Sequence, residues 1–303
     1  MRELTHFNGQ RYETGLLWRH DSERLPNNEA MALKRYNQIQ RRMEKDHELA
    51  RAVKEKFADY VSKGYVRRLT SEEIAENHKR AWYLPVFPVI NPNKPGKMRL
   101  VWDAAATTNG VSLNSALLTG PDLNEPLIHV LHRFRQYRFA ICGDIREMFH
   151  QIAIRNEDQH SQRFFVRDNE EHKVPSTYVM QVMTFGASCS PATAQFVENT
   201  NAERFNEKHP NAVRAIVRCT YVDDMLSSTE TEQDAIELAK SISFIHNEGG
   251  FEIRNWMSNS STVLMALHGG SNAEKSLDLS STLATEKVLG MWWCTQIDCF
   301  TYR

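Results

Sequence analysis

Tyr221-Val222-Asp223-Asp224 sets two adjacent carboxylates between two apolar runs, Ala215-Ile216-Val217-Arg218-Cys219-Thr220 and Met225-Leu226-Ser227. Both runs read as strands, so the chain has to reverse direction at the acidic pair. A tight hairpin ordinarily carries Asn-Gly or Asp-Gly at its tip, where positive φ is needed. This tip has no glycine, and its neighbouring like charges repel. A local rule broken in this way points to a functional site. A bound divalent cation is the simplest compensation, because hard cations take carboxylate oxygens. The competing reading is a solvated acidic turn, since Asp is common in turns.

A second acidic position favours the cation. Phe139-Ala140-Ile141-Cys142-Gly143 is continuously apolar and reads as a buried strand that runs directly into Asp144. Residues 145–152 then read as a turn or short helix. A carboxylate at a strand end lies at the rim of a sheet, where ligands bind. If this strand lies beside the hairpin, Asp144, Asp223 and Asp224 converge. Such a set can hold two metal ions about 4 Å apart, the arrangement that transfers phosphoryl or nucleotidyl groups in line.

Composition permits a real core: 41% of the 303 residues are apolar and 25% charged, which argues against global disorder. No apolar run is long enough to span a bilayer, and the N-terminus lacks the basic-then-apolar order of a secretory signal. The five cysteines form no C-x-x-C pair. Cys142 and Cys219 fall in predicted strands, so reduced thiols and an intracellular location are expected. A net charge of −1 argues only weakly for a nucleic-acid partner. Net charge hides distribution, however, and basic clusters occur at Arg41, Arg42 and Lys45, at Lys94, Lys97 and Arg99, and at Arg133, Arg135 and Arg138.

Along the chain there is no internal repeat. The N-terminal part, up to about residue 80, reads as helical. One helix follows Pro26 and Asn28, a second is capped by Asp46 and stopped by Gly64, and a third opens on the Thr70–Glu73 capping box. Val86–Ile90 and Met98–Trp102 read as paired strands around an Asn-Pro-Asn-Lys-Pro-Gly turn, with Pro85 and Pro88 marking an edge. A helix follows Asn124. A hairpin joins Arg163–Val166 to Tyr178–Met180, turning near Asp168 and Asn169. Ser190 and Pro191 open another helix. Thr229 and Glu232 form a capping box for a helix that Gly249 and Gly250 stop. Residues 287–293 and 299–302 read as terminal strands. The expected class is α+β, an antiparallel sheet with helices packed on one face.

The ordered set MRLVWDAAA, CGDIREMFHQI, FGASCSPATAQF, YVDDMLSS and GGFEIRNW resembles the reverse transcriptases of LTR retrotransposons, most of all those of the Bel/Pao group. RYETGLLW, LPNN and WYLPVFPVINPNKPGK resemble that group's segment leading into the polymerase. The resemblance implies the fingers and palm of a right-hand polymerase over residues 81–260. A helical N-terminal segment over 1–80 precedes them, and the end of the palm with a primer-grip-like hairpin fills 261–303. No thumb, RNase H, protease or integrase is recognisable, so the chain reads as a piece of a longer polyprotein.

By the same resemblance Asp144 and Asp223 bind two Mg²⁺ ions, with Mn²⁺ the alternative ion. Asp224 supports them and the Ile145 backbone reaches the metal. Lys97 and Arg99 fold over the incoming triphosphate, with Lys94 a weaker candidate. Phe149 is the aromatic gate that excludes a ribose 2′-hydroxyl. Gly186, with Ala187, Ser188 and Ser190, allows close backbone approach to template and nucleotide. Phe185 stands where retroviral enzymes carry glutamine. Tyr221, Gly290, Met291 and Trp292 lie along primer and template. Arg254 occupies the place of a basic group near pyrophosphate, where arginine gives electrostatic help rather than a proton. The implied partners are primed RNA or DNA template, dNTPs, and the RNase H and integrase parts of the polyprotein, in a cytoplasmic virus-like particle without membrane attachment. An RNA-replicating polymerase would typically show a Gly-Asp-Asp hairpin and no gate. A non-catalytic nucleic-acid-binding remnant of a mobile element is the alternative from another class.

Overall fold

The computed structural model describes residues 1–90, 98–168, 174–268, 285–289 and 291–301. Lys94, Lys97, the turn around them, Asn169 and Gly290 lie outside the described residues. Two compact units are present. One comprises Met1–Asn8, Tyr12–Pro121 and Phe149–Ala194, the other Gly9–Arg11, Asp122–Met148 and Gln195–Arg303.

After a single 3-10 turn at Arg2–Leu4, the first unit continues with strands β1 (His6–Phe7) and β2 (Tyr12–Thr14) where helix was expected. The reason is a period of two, with Tyr12 and Thr14 buried and Glu13 less so. Helices α1 (Glu29–Lys45) and α2 (His47–Ser62) follow as expected. The Asp46 carboxylate caps α2 by accepting from Leu49 N at 2.9 Å. Asn28 spends its amide elsewhere: it bonds both the N–H and the C=O of Tyr83, at 2.8 and 2.7 Å, like one rung of a sheet. Strand β3 (Val66–Arg68) and helix α3 (Ser71–Ala75) come next, and the Thr70–Glu73 capping box is formed. Strands β4 (Val86–Ile90) and β5 (Met98–Trp102) pair antiparallel, Val89 opposite Arg99.

Helix α4 (Leu113–Ala116) completes this stretch, and the chain leaves the unit through α5 (Leu127–Phe134) and β6 (Phe139–Ile145). It re-enters with β7 (Ala153–Ile154), which runs parallel to β2. Helix α6 (Asn156–Gln159) and the hairpin β8 (Arg163–Val166) to β9 (Ser176–Met180) follow, with β3 pairing onto β9. Trp102 packs its ring against Tyr60 and Phe164, at 5.7 and 5.9 Å between centroids. The RYETGLLW segment is fastened by Asp158, which is 1% exposed and accepts from Leu16 N, Trp18 Nε1 and Arg155 Nε at 2.7–2.9 Å.

His160 lies buried, stacked on His78 at 3.6 Å and within 2.9 Å of Arg163. Burial, with His78, Arg163 and Arg67 nearby, pushes its imidazole from the ordinary 6.5 down to about 4. The unfolded chain therefore binds a proton that folded His160 refuses. Stability should fall as pH drops from about 6.5 to about 4, by up to about 1.4 kcal/mol per pH unit. Urea midpoints across that range should decline less steeply in His160→Gln. Equal slopes would assign the acid sensitivity to other groups.

Helix α7 (Ser190–Glu203) leads into the second unit. There α8 (Pro210–Cys219), β10 (Thr220–Tyr221), β11 (Asp224–Thr229), α9 (Glu232–Glu248), β12 (Ile253–Ser258) and α10 (Ser261–His268) follow in order. Strands β13 (Thr285–Val288), β14 (Met291–Cys294) and β15 (Cys299–Thr301) form a separate antiparallel sheet. The main sheet runs β10-β11-β6-β12, antiparallel throughout. On one face Ile141, Met225 and Trp256 pack with Ile216 of α8, Ala239 and Ile242 of α9 and Val263 of α10. On the other, Ala140, Cys142 and Leu226 meet Val130 and Phe134 of α5 together with Val288 and Trp293. The fold is thus α+β, with most of the unit's helices on one face and α5 on the other.

Three local expectations are corrected. Residues 215–219 are helix, not strand: Ala212, Ala215, Ile216 and Cys219 recur at helical spacing on the buried side, behind Pro210 in the first turn. The cap of α9 is Thr231, which accepts from Asp234 N, because Thr229 is used in the ladder opposite Phe139. The run through 287–293 is broken at Leu289, whose φ is +50, into the β13–β14 hairpin. All five cysteines are free thiols. No described helix is long and apolar enough to cross a membrane.

Candidate active site

The register of β6 and β11 sets Asp144 directly opposite Asp224. Residues so paired have Cβ atoms about 5 Å apart, and like charges there are destabilising. Alternation puts both on the face of Cys142 and Leu226. Thr220 and Tyr221 pair with Met225 and Asp224, so Val222 and Asp223 form a two-residue tip. Val222 stands at φ +59, while Asp223 has negative φ. That is the φ pattern of a type II′ turn, built without its glycine. A β-branched residue in this region is strained. The Asp223 carbonyl accepts from Ile145 N at 2.8 Å, which binds the tip to the end of β6. The Ile145 side chain is buried. The Asp223 side chain is exposed and that of Asp224 half-buried.

Asp144 is held by β12. Arg254 Nε donates to Oδ2 at 3.0 Å and Asn255 Nδ2 donates to Oδ1 at 2.6 Å. The Arg254 guanidinium thus lies on the Asp144 carboxylate. Asn255 carried no visible signal, because its approach depends on an irregularity in β12. Among the described residues no three His, Cys, Asp or Glu side chains are already gathered at metal-binding distance. The donors themselves suit a hard divalent cation: three carboxylates on two paired strands and the intervening tip.

The nucleotide-side candidates lie in the first unit. Arg99 is exposed on β5. Phe149 is 9% exposed, and its ring packs on Phe185 at 4.7 Å between centroids. Gly186 adopts φ +120, and a Cβ there would lie 2.2 Å from the Trp102 carbonyl oxygen. Glycine at 186 is therefore required by the chain's own packing. Asn114, which sequence reasoning passed over, braces this loop: its Nδ2 donates to Gly186 O at 3.0 Å and its Oδ1 accepts from Ser188 N at 2.8 Å.

Of the primer-side candidates, Tyr221, Met291 and Trp292 are half-buried. Trp293 is core: it is fully buried, edge-on to Phe134 at 4.9 Å, and its Nε1 donates to Asp298 at 2.9 Å.

An acidic hairpin thus lies beside an acid-tipped central strand in an α+β fold, an arrangement whose carboxylates suit divalent cations. Residues 90–259 match the family described as reverse transcriptase (RNA-dependent DNA polymerase), and the chain belongs to that family. Among solved structures it is similar to a protease–reverse transcriptase of prototype foamy virus, at 16% identity and TM-score 0.50, covering 69% of this chain and 24% of that one. It is also similar to the foamy viral protease–reverse transcriptase in complex with double-stranded DNA, at 19% identity and TM-score 0.49, covering 67% and 30%. The chain thus spans under a third of either solved protein. No curated protein sequence matches it.

Proposed function

We propose that this chain is the RNA-directed DNA polymerase part of a Bel/Pao-type LTR retrotransposon, adding dNTPs to a primer 3′-hydroxyl on an RNA or DNA template. The observation that carries the reading is the Asp144–Asp224 cross-strand pair beside the Asp223 tip. Asp144 and Asp223 would hold two Mg²⁺, or Mn²⁺, with Asp224 supporting them and the Ile145 backbone at their edge. When bound, such ions favour deprotonation of the primer hydroxyl and neutralise the leaving pyrophosphate. The residues' own work is to fix those positions. The central strand carries Asp144, and the carbonyl bond from Asp223 to Ile145 keeps the tip in place.

Arg99 and Lys97 would bind triphosphate oxygens, for which a guanidinium offers forked donors. Gly186 would present its backbone to the nucleotide. Tyr221, Gly290, Met291 and Trp292 would line primer and template. Residues 81–260 would form fingers and palm and residues 261–303 the end of the palm. RNase H and integrase are the expected neighbours in the polyprotein, and a cytoplasmic virus-like particle the expected setting.

The test is primer extension on an RNA template with dNTPs, with Mg²⁺ and again with chelator. Extension that requires the ion supports the reading. Template binding without any extension, also when a thumb is supplied, would leave the non-catalytic remnant instead.

Phe149 would be the sugar gate. Phe149→Ala should narrow the preference for dNTP over rNTP in kcat/KM by roughly tenfold to a hundredfold. Unchanged selectivity would reduce Phe149 to a packing partner of Phe185.

A further inference from the structure

Strand β12 leaves its ladder with β6 between Arg254 and Met257, where three steps on β12 match two on β6. The extra residue makes a β-bulge. Asn255 sits in it at φ +54, a backbone that Asn tolerates better than most side chains. The bulge has room because position 143 is glycine. A Cβ there would lie 2.8 Å from Ile253 Cγ2 and 3.1 Å from Trp256 Cε3. A regular strand would send residues 254 and 255 to opposite faces. Here both side chains reach Asp144, one on each carboxylate oxygen.

The two donors differ in charge. The Asn255 amide is neutral; it fixes the carboxylate plane and leaves other lone pairs for an ion. The Arg254 guanidinium is permanently charged and 45% exposed, and it competes with any cation for the same oxygen. The neighbouring Arg146 is engaged by Glu252 at 2.9 Å. Arg254 thus offsets part of the repulsion that Asp144 and Asp224 generate across their ladder.

Resting on the reading of Asp144 as an ion ligand, we propose that Asn255 is a positioning residue that aims the Asp144 carboxylate, and that Arg254 is a placeholder cation which a divalent ion must displace. The experiment measures Mn²⁺ affinity of the whole chain by electron paramagnetic resonance, without nucleic acid or nucleotide. Arg254→Gln should bind the ion roughly fivefold more tightly, since a competing charge is removed. Asn255→Ala should bind roughly tenfold more weakly, since the carboxylate loses its orienting partner. Unchanged or weaker binding in Arg254→Gln overturns the placeholder, and unchanged or tighter binding in Asn255→Ala overturns the positioning role.

The unmutated chain supplies a readout that survives a misfolded variant. On Mg²⁺ titration one arginine Nε–H resonance should move towards its solvent-exposed position, and it should stay still in Asp144→Asn. A static resonance overturns the displacement. Asp144→Asn also separates the two levels. If it binds Mn²⁺ as the wild type does, the ion-ligand reading falls and this inference with it. If it loses the ion while Arg254→Gln binds unchanged, the placeholder alone falls.

Discussion

Asp223→Asn is expected to lower primer extension by more than about 10³-fold while leaving the unfolding transition intact. The activity loss follows from the charge. An amide keeps the shape of the side chain but supplies no negative oxygen to a divalent ion, and a loss of about 4 kcal/mol of transition-state stabilisation corresponds to three decades in rate. The preserved fold follows from the backbone. Asp223 contributes its carbonyl to Ile145 N, and that bond is indifferent to the side chain, which is exposed. Removing one of three neighbouring carboxylates also relieves repulsion, so the melting temperature should hold or rise slightly. Asp144→Ala should be as inactive, but it strips Arg254 and Asn255 of their shared acceptor and should cost stability too. Mg²⁺-dependent incorporation that persists in Asp223→Asn would remove Asp223 from the mechanism.

Gly186→Ala should destabilise the chain by more than about 3 kcal/mol. Two penalties combine at this residue. The φ of +120 is poor for any side chain, and the new Cβ would stand 2.2 Å from the backbone oxygen of Trp102, which cannot rotate away. Trp102 is itself almost fully buried, so the clash cannot be relieved without moving the aromatic core. Gly110 offers the matched control. It also has positive φ, +78, but nothing lies within 4 Å of its missing Cβ. Gly110→Ala should therefore report the conformational cost alone, on the order of 1–2 kcal/mol. Urea denaturation of both variants separates the terms, and equal costs would show that the Trp102 contact does not dictate glycine at 186.

What was legible in the sequence was local or strongly patterned. Asp46, Thr70 and Glu73 cap the helices they were expected to cap, because a cap needs only its own first turn. The run through 139–143 is a buried strand, and its Asp144 does meet the 221–224 hairpin. What was hidden depends on partners far along the chain. The run from Ala215 to Cys219 suits a strand or a helix equally well when short apolar stretches are read alone, and the cores of α9 and the sheet decide for helix. Asn255 reaches Asp144 only because Trp256 fills the space beside Gly143. Asn114 matters only because the loop at Gly186 comes to it. Such residues are polar, unremarkable in composition, and assigned by tertiary approach alone.

The order β10-β11-β6-β12 gives the acid and its counterpart different mechanical neighbourhoods. Asp144 rides on a strand hydrogen-bonded on both sides and covered by both cores. Arg254 and Asn255 ride on the outermost strand of that sheet, where the ladder is already interrupted. Amide protons of the inner strand should exchange with solvent only on near-global opening, whereas those around the bulge should exchange through small local excursions. A stiff anvil facing a compliant clasp lets the grip on the carboxylate loosen and re-form without disturbing the sheet that supports it.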